Sequence, residues 1–421
     1  MKKYLTLFAL GLAGGVMYIY PYIRYVFQNP LNDTLGINDT QAGLLLTVYG
    51  VVSIILYIPG GILADKLRAK KPLLISMGWA LVLLIGFAIV LGLHLGDKTP
   101  YWIALAVWGL MPIATTFVFW SSLVKAIRLT GGQDDQGRCF GIYFAANAIF
   151  SMVVSSSNMF MYTQFSGEGN GIMGVTISVA FFIGVAMLAI TILFKEKNLQ
   201  MPKSDESYKR EDIKAVLKNG TVWIAGITIM LVYIIFTLTT YFTTYMTAVC
   251  GMSDEISGAL TIFRTYFIMI FAAIFSGMIA DKIFHSTLKW YRVAAICMAA
   301  STAIFILVGF SDARAVFGIP NNIVLIAVIS ILPGIFSTMI YAVQWAILSE
   351  INLPAKVAGT ATGLASMIVF SPDIWLNTGI GAILDATTQN PEAGYLVIFG
   401  ILIAVSLVVF LLCHYLLKRN K

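Results

Sequence analysis

Twelve apolar stretches, each long enough to cross the hydrocarbon core of a bilayer as a helix, fill this 421-residue chain. In lipid every backbone polar group must be satisfied internally, so only helices and closed barrels can span. The stretches lack the strict in-and-out alternation of barrel strands, which leaves helices. The expected fold is an all-α membrane protein with spans at 4–27, 41–63, 72–95, 101–124, 140–163, 171–194, 221–247, 257–280, 293–310, 323–348, 358–384 and 395–417.

Composition agrees and excludes a soluble enzyme. Hydrophobic residues make up 59% of the chain and charged ones 11%. The polar connections are too short for an enzyme domain, and no Gly-x-x-x-x-Gly-Lys loop is present for nucleotide-driven pumping. The four cysteines are scattered and suggest neither a disulfide framework nor a metal set; no cofactor is expected. The first apolar stretch is too long for a signal-peptide core, so the first helix is expected to remain.

The Lys and Arg residues orient the chain. With the N-terminus in the cytoplasm, 23 of them fall on the cytoplasmic side and two, Lys98 and Arg314, outside. This asymmetry predicts a multi-pass protein of the cell membrane with both termini cytoplasmic. The net charge of +7 follows from that distribution. It implies membrane lipid as a partner and gives no reason to invoke nucleic acid.

The longest polar stretch, 195–220, reads as a cytoplasmic linker between an N-terminal six-helix bundle, 1–194, and a C-terminal one, 221–421. Internal repetition supports the division. Gly61, Ala64, Asp65 and Lys66 recur as Gly277, Ala280, Asp281 and Lys282; Arg138 and Gly141 recur as Lys356 and Gly359; Trp120 and Lys125 find a looser echo in Trp345 and Glu350.

The loop from Gly61 to Lys71, with Asp65, Lys66, Arg68, Lys70 and Lys71, resembles the Gly-x-Leu-x-Asp-Arg-x-Gly-Arg-Arg motif of the major facilitator superfamily, and the resemblance covers the whole chain. Lys66 stands where the family has its first Arg, and Arg68 where it has a second Gly. The resemblance implies two pseudo-symmetric six-helix bundles and a secondary transporter that works by alternating access, with a monomer as the family expectation. It also implies a gate built from Gly61, Asp65, Lys66, Arg68 and Arg138 and from their counterparts Gly277, Asp281 and Lys356. In that gate the glycines permit close helix contact and the aspartates meet the positive N-terminal ends of helices.

Only three charged residues, Arg24, Arg264 and Asp373, fall well inside an apolar stretch. Charges at that depth are costly and mark functional positions. Arg24, after Tyr18, Tyr20 and Tyr22, resembles the phosphate-binding arginine of the organophosphate/phosphate antiporters, although the partner arginine of that branch is missing near Tyr233. Arg264 resembles a cation of the oxalate/formate antiporters, but Asp373 stands in the helix where that branch adds a second basic residue.

Three roles stay open for the trio. Arg24 can snorkel to the outer interface while Arg264 and Asp373 form a structural pair. The two arginines can instead clamp an anionic solute, since a guanidinium offers a fixed bidentate fork. Asp373 can also carry a coupling proton. Tyr18, Tyr22, Asn147, Tyr233 and Gln344 are further substrate-binding candidates.

Two cations against one acid favour a small organic anion, phosphorylated or carboxylated, with a proton or a counter-transported anion as the coupled species. The alternatives are proton-coupled transport of a neutral solute such as a sugar, and a transporter-like solute sensor.

Overall fold

The computed structural model describes residues 2–94, 98–130, 136–166, 170–196, 218–350 and 365–419. Those residues form helices and turns, with no strand among them. Eleven of the helices are long and apolar enough to cross a membrane, and a shorter apolar one, Lys3–Met17, precedes them. The chain falls into two compact units, Met1–Lys203 with Asn377–Gly381, and Ser204–Leu376 with Ala382–Lys421.

In the first unit the helices are α1 (Lys2–Met17), α2 (Arg24–Leu35), α3 (Asp39–Lys66), α4 (Lys70–Leu93), α5 (Tyr101–Pro112), α6 (Phe119–Thr130), α7 (Gln136–Ser166) and α8 (Gly171–Leu193). The single helix expected at 4–27 is therefore broken: α1 stops at Met17, turns follow through Ile23, and α2 starts at Arg24. Pro21 explains the break, because proline lacks the N–H and its ring clashes with the preceding turn. Trp108 fixes the turn by donating its indole N–H to the Pro21 carbonyl at 3.0 Å. The start of α3 is set by a reciprocal capping box, in which the Asn38 side chain accepts from the Gln41 N–H and the Gln41 side chain from the Asn38 N–H.

In the second unit the order is α9 (Gly220–Leu238), α10 (Tyr241–Ala248), α11 (Asp254–Ile262), α12 (Ile268–Met278), α13 (Thr287–Gly309), α14 (Ser311–Phe317), α15 (Ile323–Ala342), α16 (Pro372–Ala386, apart from Asn377–Gly381) and α17 (Pro391–Arg419). The stretch expected as one helix at 323–348 ends its α-helical part at Ala342 and closes with a 3₁₀ turn, Gln344–Ser349.

Packing repeats as the sequence does. In the first unit α4 packs on α8, α1 on α8 and α3 on α5; in the second, α13 packs on α17, α9 on α17 and α12 on α15. These three contacts recur at matching places in the two units. The outward faces carry exposed aliphatic and aromatic side chains such as Val82, Leu93, Trp102, Phe181 and Ile274. That apolar exterior suits lipid, where it needs no burial against protein.

Candidate functional site

Both units interrupt a long helix with a π-turn, the first carrying buried Thr115 and Thr116 and the second buried Arg264. A π-turn inserts one residue into the helix, which frees backbone groups and re-aims side chains. In the first unit Ile113–Phe117 links α5 to α6 directly after Pro112. The Thr115 carbonyl accepts from the Tyr18 hydroxyl at 2.9 Å, and its hydroxyl bonds that of Tyr49 at 3.0 Å. Thr116 donates to Ser53 at 3.1 Å.

Aromatic rings surround this knot. Tyr22 stacks on Tyr25 with centroids 5.5 Å apart and meets Tyr49 edge-on at 5.6 Å, while Tyr18 meets Trp120 edge-on at 6.2 Å. Of the residues singled out from sequence, Tyr18 and Tyr22 thus share one cluster. Arg24 opens α2 two residues beyond Tyr22 and is only 2% exposed, so it has no solvated tip of the kind that snorkelling requires. Asn147 lies on α7, where its amide donates to the Tyr143 hydroxyl at 3.4 Å beside Gly14 of α1. It supports the α1–α7 contact.

In the second unit Arg264 sits in the π-turn Phe263–Phe267, between α11 and α12. It is also 2% exposed. Its Nη2 donates to the Thr243 hydroxyl at 3.1 Å, and the guanidinium carbon lies 5.6 Å from the centre of the Phe242 ring. The aliphatic stem fills the space left by Gly334, where an added Cβ would fall 2.2 Å from Cγ of Arg264. Nη1 has no hydrogen-bond partner among the described residues. A buried guanidinium with one weak hydroxyl partner is costly to the fold, and a site that tolerates that cost normally has a use for the charge.

Asp373 opens α16 just after Pro372 and is 4% exposed. Its carboxylate accepts from the Tyr233 hydroxyl of α9 at 2.6 Å, and the Tyr233 ring meets Phe370 edge-on at 5.3 Å. Tyr233 and Asp373 are thus brought together. The contacts of Arg264 run to Thr243 and Phe242, so it does not pair with Asp373 here. Gln344 is buried at the start of the 3₁₀ turn, and its Oε1 accepts no hydrogen bond among the described residues.

The gate residues are only partly visible. The side chains of Asp65, Lys66 and Arg138, and the whole of Lys356 and Gly359, lie outside the described residues. Arg68 and Asp281 are exposed. Gly277 has nothing within 4 Å of an added Cβ, so it makes no close helix contact among the described residues. The close approach in the first unit falls at Gly60, where a Cβ would stand 1.4 Å from the Phe117 carbonyl oxygen.

Lys125 and Glu350 close the equivalent helix of each unit with opposite charges and opposite uses. Lys125 donates to the carbonyls of Ala64 and Leu67 at 3.1 and 2.8 Å, neutralising the C-terminal end of α3. Glu350 accepts from Ser286 Oγ at 2.8 Å and from the N–H groups of Thr287 and Leu288, capping the N-terminus of α13. Each charge faces the helix end of complementary sign. In the first unit the matching N-terminus, that of α4, is capped by Glu196, which accepts from the N–H groups of Ala69 and Lys70 at 2.6 and 3.2 Å.

Thr115, Thr116, Tyr49 and Thr243 escaped the sequence reading because a buried threonine leaves no trace in an apolar helix. The signal available was Pro112 three residues before a Thr-Thr pair.

Long apolar helices in two units of like internal packing, with buried charges on interrupted helices, define a polytopic membrane protein. The family signature described as Major Facilitator Superfamily matches residues 5–373, and the chain belongs to that family of transporters. Among its relatives, the inner membrane protein YqcE of Escherichia coli K12 is 25% identical over 386 residues, 90% of this chain and 87% of that one. The inner membrane protein YihN of the same organism is 25% identical over 409 residues, covering 95% and 92%. The MG294 homologue of Mycoplasma pneumoniae is 27% identical over 451 residues, covering 99% and 94%.

Solved structures share the fold. A bacterial homologue of the lysosomal transporter Spinster, inward-facing and unoccupied, superposes with a TM-score of 0.73 at 12% identity over 99% of this chain and 98% of that one. The nucleoside transporter NupG gives 0.71 at 16% identity over 99% and 100%.

Proposed function

We propose that this transporter moves a small organic anion, phosphorylated or carboxylated, by alternating access, and that Arg24 and Arg264 are its anion ligands, one in each unit. The observation that carries this reading is Arg264: buried, free of any carboxylate partner among the described residues, and with Nη1 unsatisfied. An oxyanion supplies the acceptors that Nη1 lacks, through charge-assisted hydrogen bonds of the strong class. Gln344, with its own unsatisfied oxygen, is placed in the same role toward a donor on the solute. Tyr18 and Tyr22 are assigned to contact the solute beside Arg24.

Asp373 supports a second reading. A buried carboxylate that accepts from a tyrosine hydroxyl is a proton carrier of the kind used in coupled transport, and that role also suits a neutral solute. Both termini are placed in the cytoplasm, the protein works as a monomer, and the loops around Asp65 and Asp281 act as the gate.

The test is a thermal-shift screen of purified protein against organic phosphates, carboxylates, sulfonates and neutral sugars, with Arg264→Gln alongside, because a ligand that binds only the folded state raises its melting temperature. Stabilisation by one anion class that disappears in the variant supports the anion reading. A neutral hit that survives the substitution overturns it and leaves the proton-coupled reading.

A further inference from the structure

The basic loop that leads into α4 does more than orient the chain: it borders a groove with a charged rim and an apolar floor. The groove is shallow and open, with a volume of about 550 Å³ between α4 and α8, and is lined by Arg68, Lys70, Lys71, Leu74, Ile75, Met187 and Glu196. It lies where the membrane span Lys70–Leu93 begins, so rim and floor straddle the boundary between water and lipid.

The rim's hydrogen bonds separate occupied groups from available ones. Both Glu196 oxygens are engaged by the N–H groups of Ala69 and Lys70. The Lys70 ammonium is engaged too, donating to the carbonyls of Thr191 and Phe194 at 2.7 Å each. Arg68 and Lys71 are exposed at the rim. The helix N-terminus is already satisfied by Glu196, so what remains is a pair of cations over an apolar trough. That trough continues along the outer face of both helices through Ile75, Leu188 and Ile192, all more than half exposed.

We propose that this groove binds one anionic phospholipid, its phosphate held by Arg68 and Lys71 and an acyl chain laid against Leu74, Ile75 and Met187. The two halves of the site call for the two halves of such a molecule. A free phosphate leaves the floor uncovered, and a zwitterionic headgroup brings a cation to a rim that already has three, against the one carboxylate of Glu196. Clusters of basic residues at a membrane surface attract anionic lipid in this way.

The test uses the full chain in detergent, titrated with dioleoyl phosphatidylglycerol and, in parallel, with dioleoyl phosphatidylcholine, and read by native mass spectrometry. The expected result is one phosphatidylglycerol held in preference to phosphatidylcholine, with Arg68→Gln/Lys71→Gln weakening it roughly tenfold and leaving phosphatidylcholine unchanged. Met187→Trp fills the floor without touching a charge and is expected to weaken the same adduct; it keeps the test open if the double variant fails to fold. Lys282→Gln/Lys289→Gln, which removes two exposed cations elsewhere, is expected to leave it intact. Three results overturn the proposal: phosphatidylglycerol binding unchanged in both groove variants, an equal loss in the Lys282/Lys289 control, or displacement of the lipid by glycerol phosphate, which has no acyl chain.

Discussion

Arg264 and Thr243 are joined by one hydrogen bond of 3.1 Å, from Nη2 to a hydroxyl, and that is a modest partner for a buried guanidinium. Breaking a buried ion pair usually destabilises a protein because a charge is left uncompensated, yet Arg264 is in that state from the start. The cost is already built into the fold and is offset by packing elsewhere. Removing the charge should therefore separate stability from binding. Arg264→Gln is expected to leave the melting temperature of the ligand-free protein unchanged or higher, while anion affinity falls by roughly 10- to 100-fold, the range of a lost charged hydrogen bond. Thermal unfolding with and without anion, beside uptake into proteoliposomes, checks both halves; a large drop in ligand-free stability would show that the arginine is structural.

Gly334 gives a second route to the same group. A Cβ there would overlap Cγ and Cδ of Arg264 at 2.2 and 2.4 Å, the middle of the side chain rather than its mobile end. Gly334→Ala must then push the guanidinium out of register, at an overpacking cost of about 1–3 kcal/mol. Gly400→Ala, at a position with nothing within 4 Å, is the matched control and is expected to be neutral. Anion affinity and melting temperature of the two variants, measured side by side, decide it.

How much of this was readable from residues alone differs from feature to feature. The spans were legible because apolar length is a direct consequence of bilayer thickness, and Arg24, Arg264 and Asp373 stood out because charge is rare inside such runs. The break after Met17 was legible in principle through Pro21. The π-turns at 113–117 and 263–267 were not, since one inserted residue hardly changes a hydrophobic pattern yet turns the rest of the helix by about 100°. For the same reason sequence spacing could not decide whether Arg264 would meet Asp373. The echo of Lys125 in Glu350 looked like a poor match because the charge is reversed. Their contacts make chemical sense of it, one gripping carbonyls and the other N–H groups.

Glu350 can be tested on its own. Its carboxylate meets the Ser286 hydroxyl and two backbone N–H groups at the start of α13. Glu350→Gln keeps the shape but loses the charge facing the positive helix end, and is expected to lower stability by about 1 kcal/mol. Glu350→Leu removes the acceptors as well and should cost more. Melting temperatures of the two variants against wild type give the comparison, and equal values for Gln and Leu would remove the capping role.

Cys250 lies between the spans ending at Ala248 and starting at Asp254, and burial pushes its thiol up to about 11, with Arg314 pulling it down and Glu392 adding to the rise. Only the thiolate is nucleophilic. Its alkylation by a membrane-impermeant maleimide should therefore be slow at neutral pH and rise about tenfold per pH unit until the thiol titrates. Arg314→Gln removes a neighbouring charge that favours the thiolate and should slow the reaction further at fixed pH. Labelling rates in intact cells at several pH values also report which side the loop faces: a signal only after permeabilisation would reverse the proposed orientation.

The closest backbone approach in the first unit, Gly60 against Phe117, leads to the sharpest stability prediction. An added Cβ would stand 1.4 Å from a carbonyl oxygen that belongs to the π-turn, and a backbone atom cannot rotate away as a side chain can. Gly60→Ala must move α3 or the turn, and with the turn go the bonds from Thr115 to Tyr18 and Tyr49. The expected loss is above the usual 1–3 kcal/mol of overpacking, enough to reduce the yield of folded protein severely. Gly78→Ala and Gly86→Ala, with nothing within 4 Å, should instead be neutral or slightly stabilising, as alanine is the better helix former. Yield and melting temperature of the three variants, expressed together, would show whether the π-turn is held in place by Gly60; a Gly60→Ala protein as stable as the other two would mean that the contact relaxes without cost.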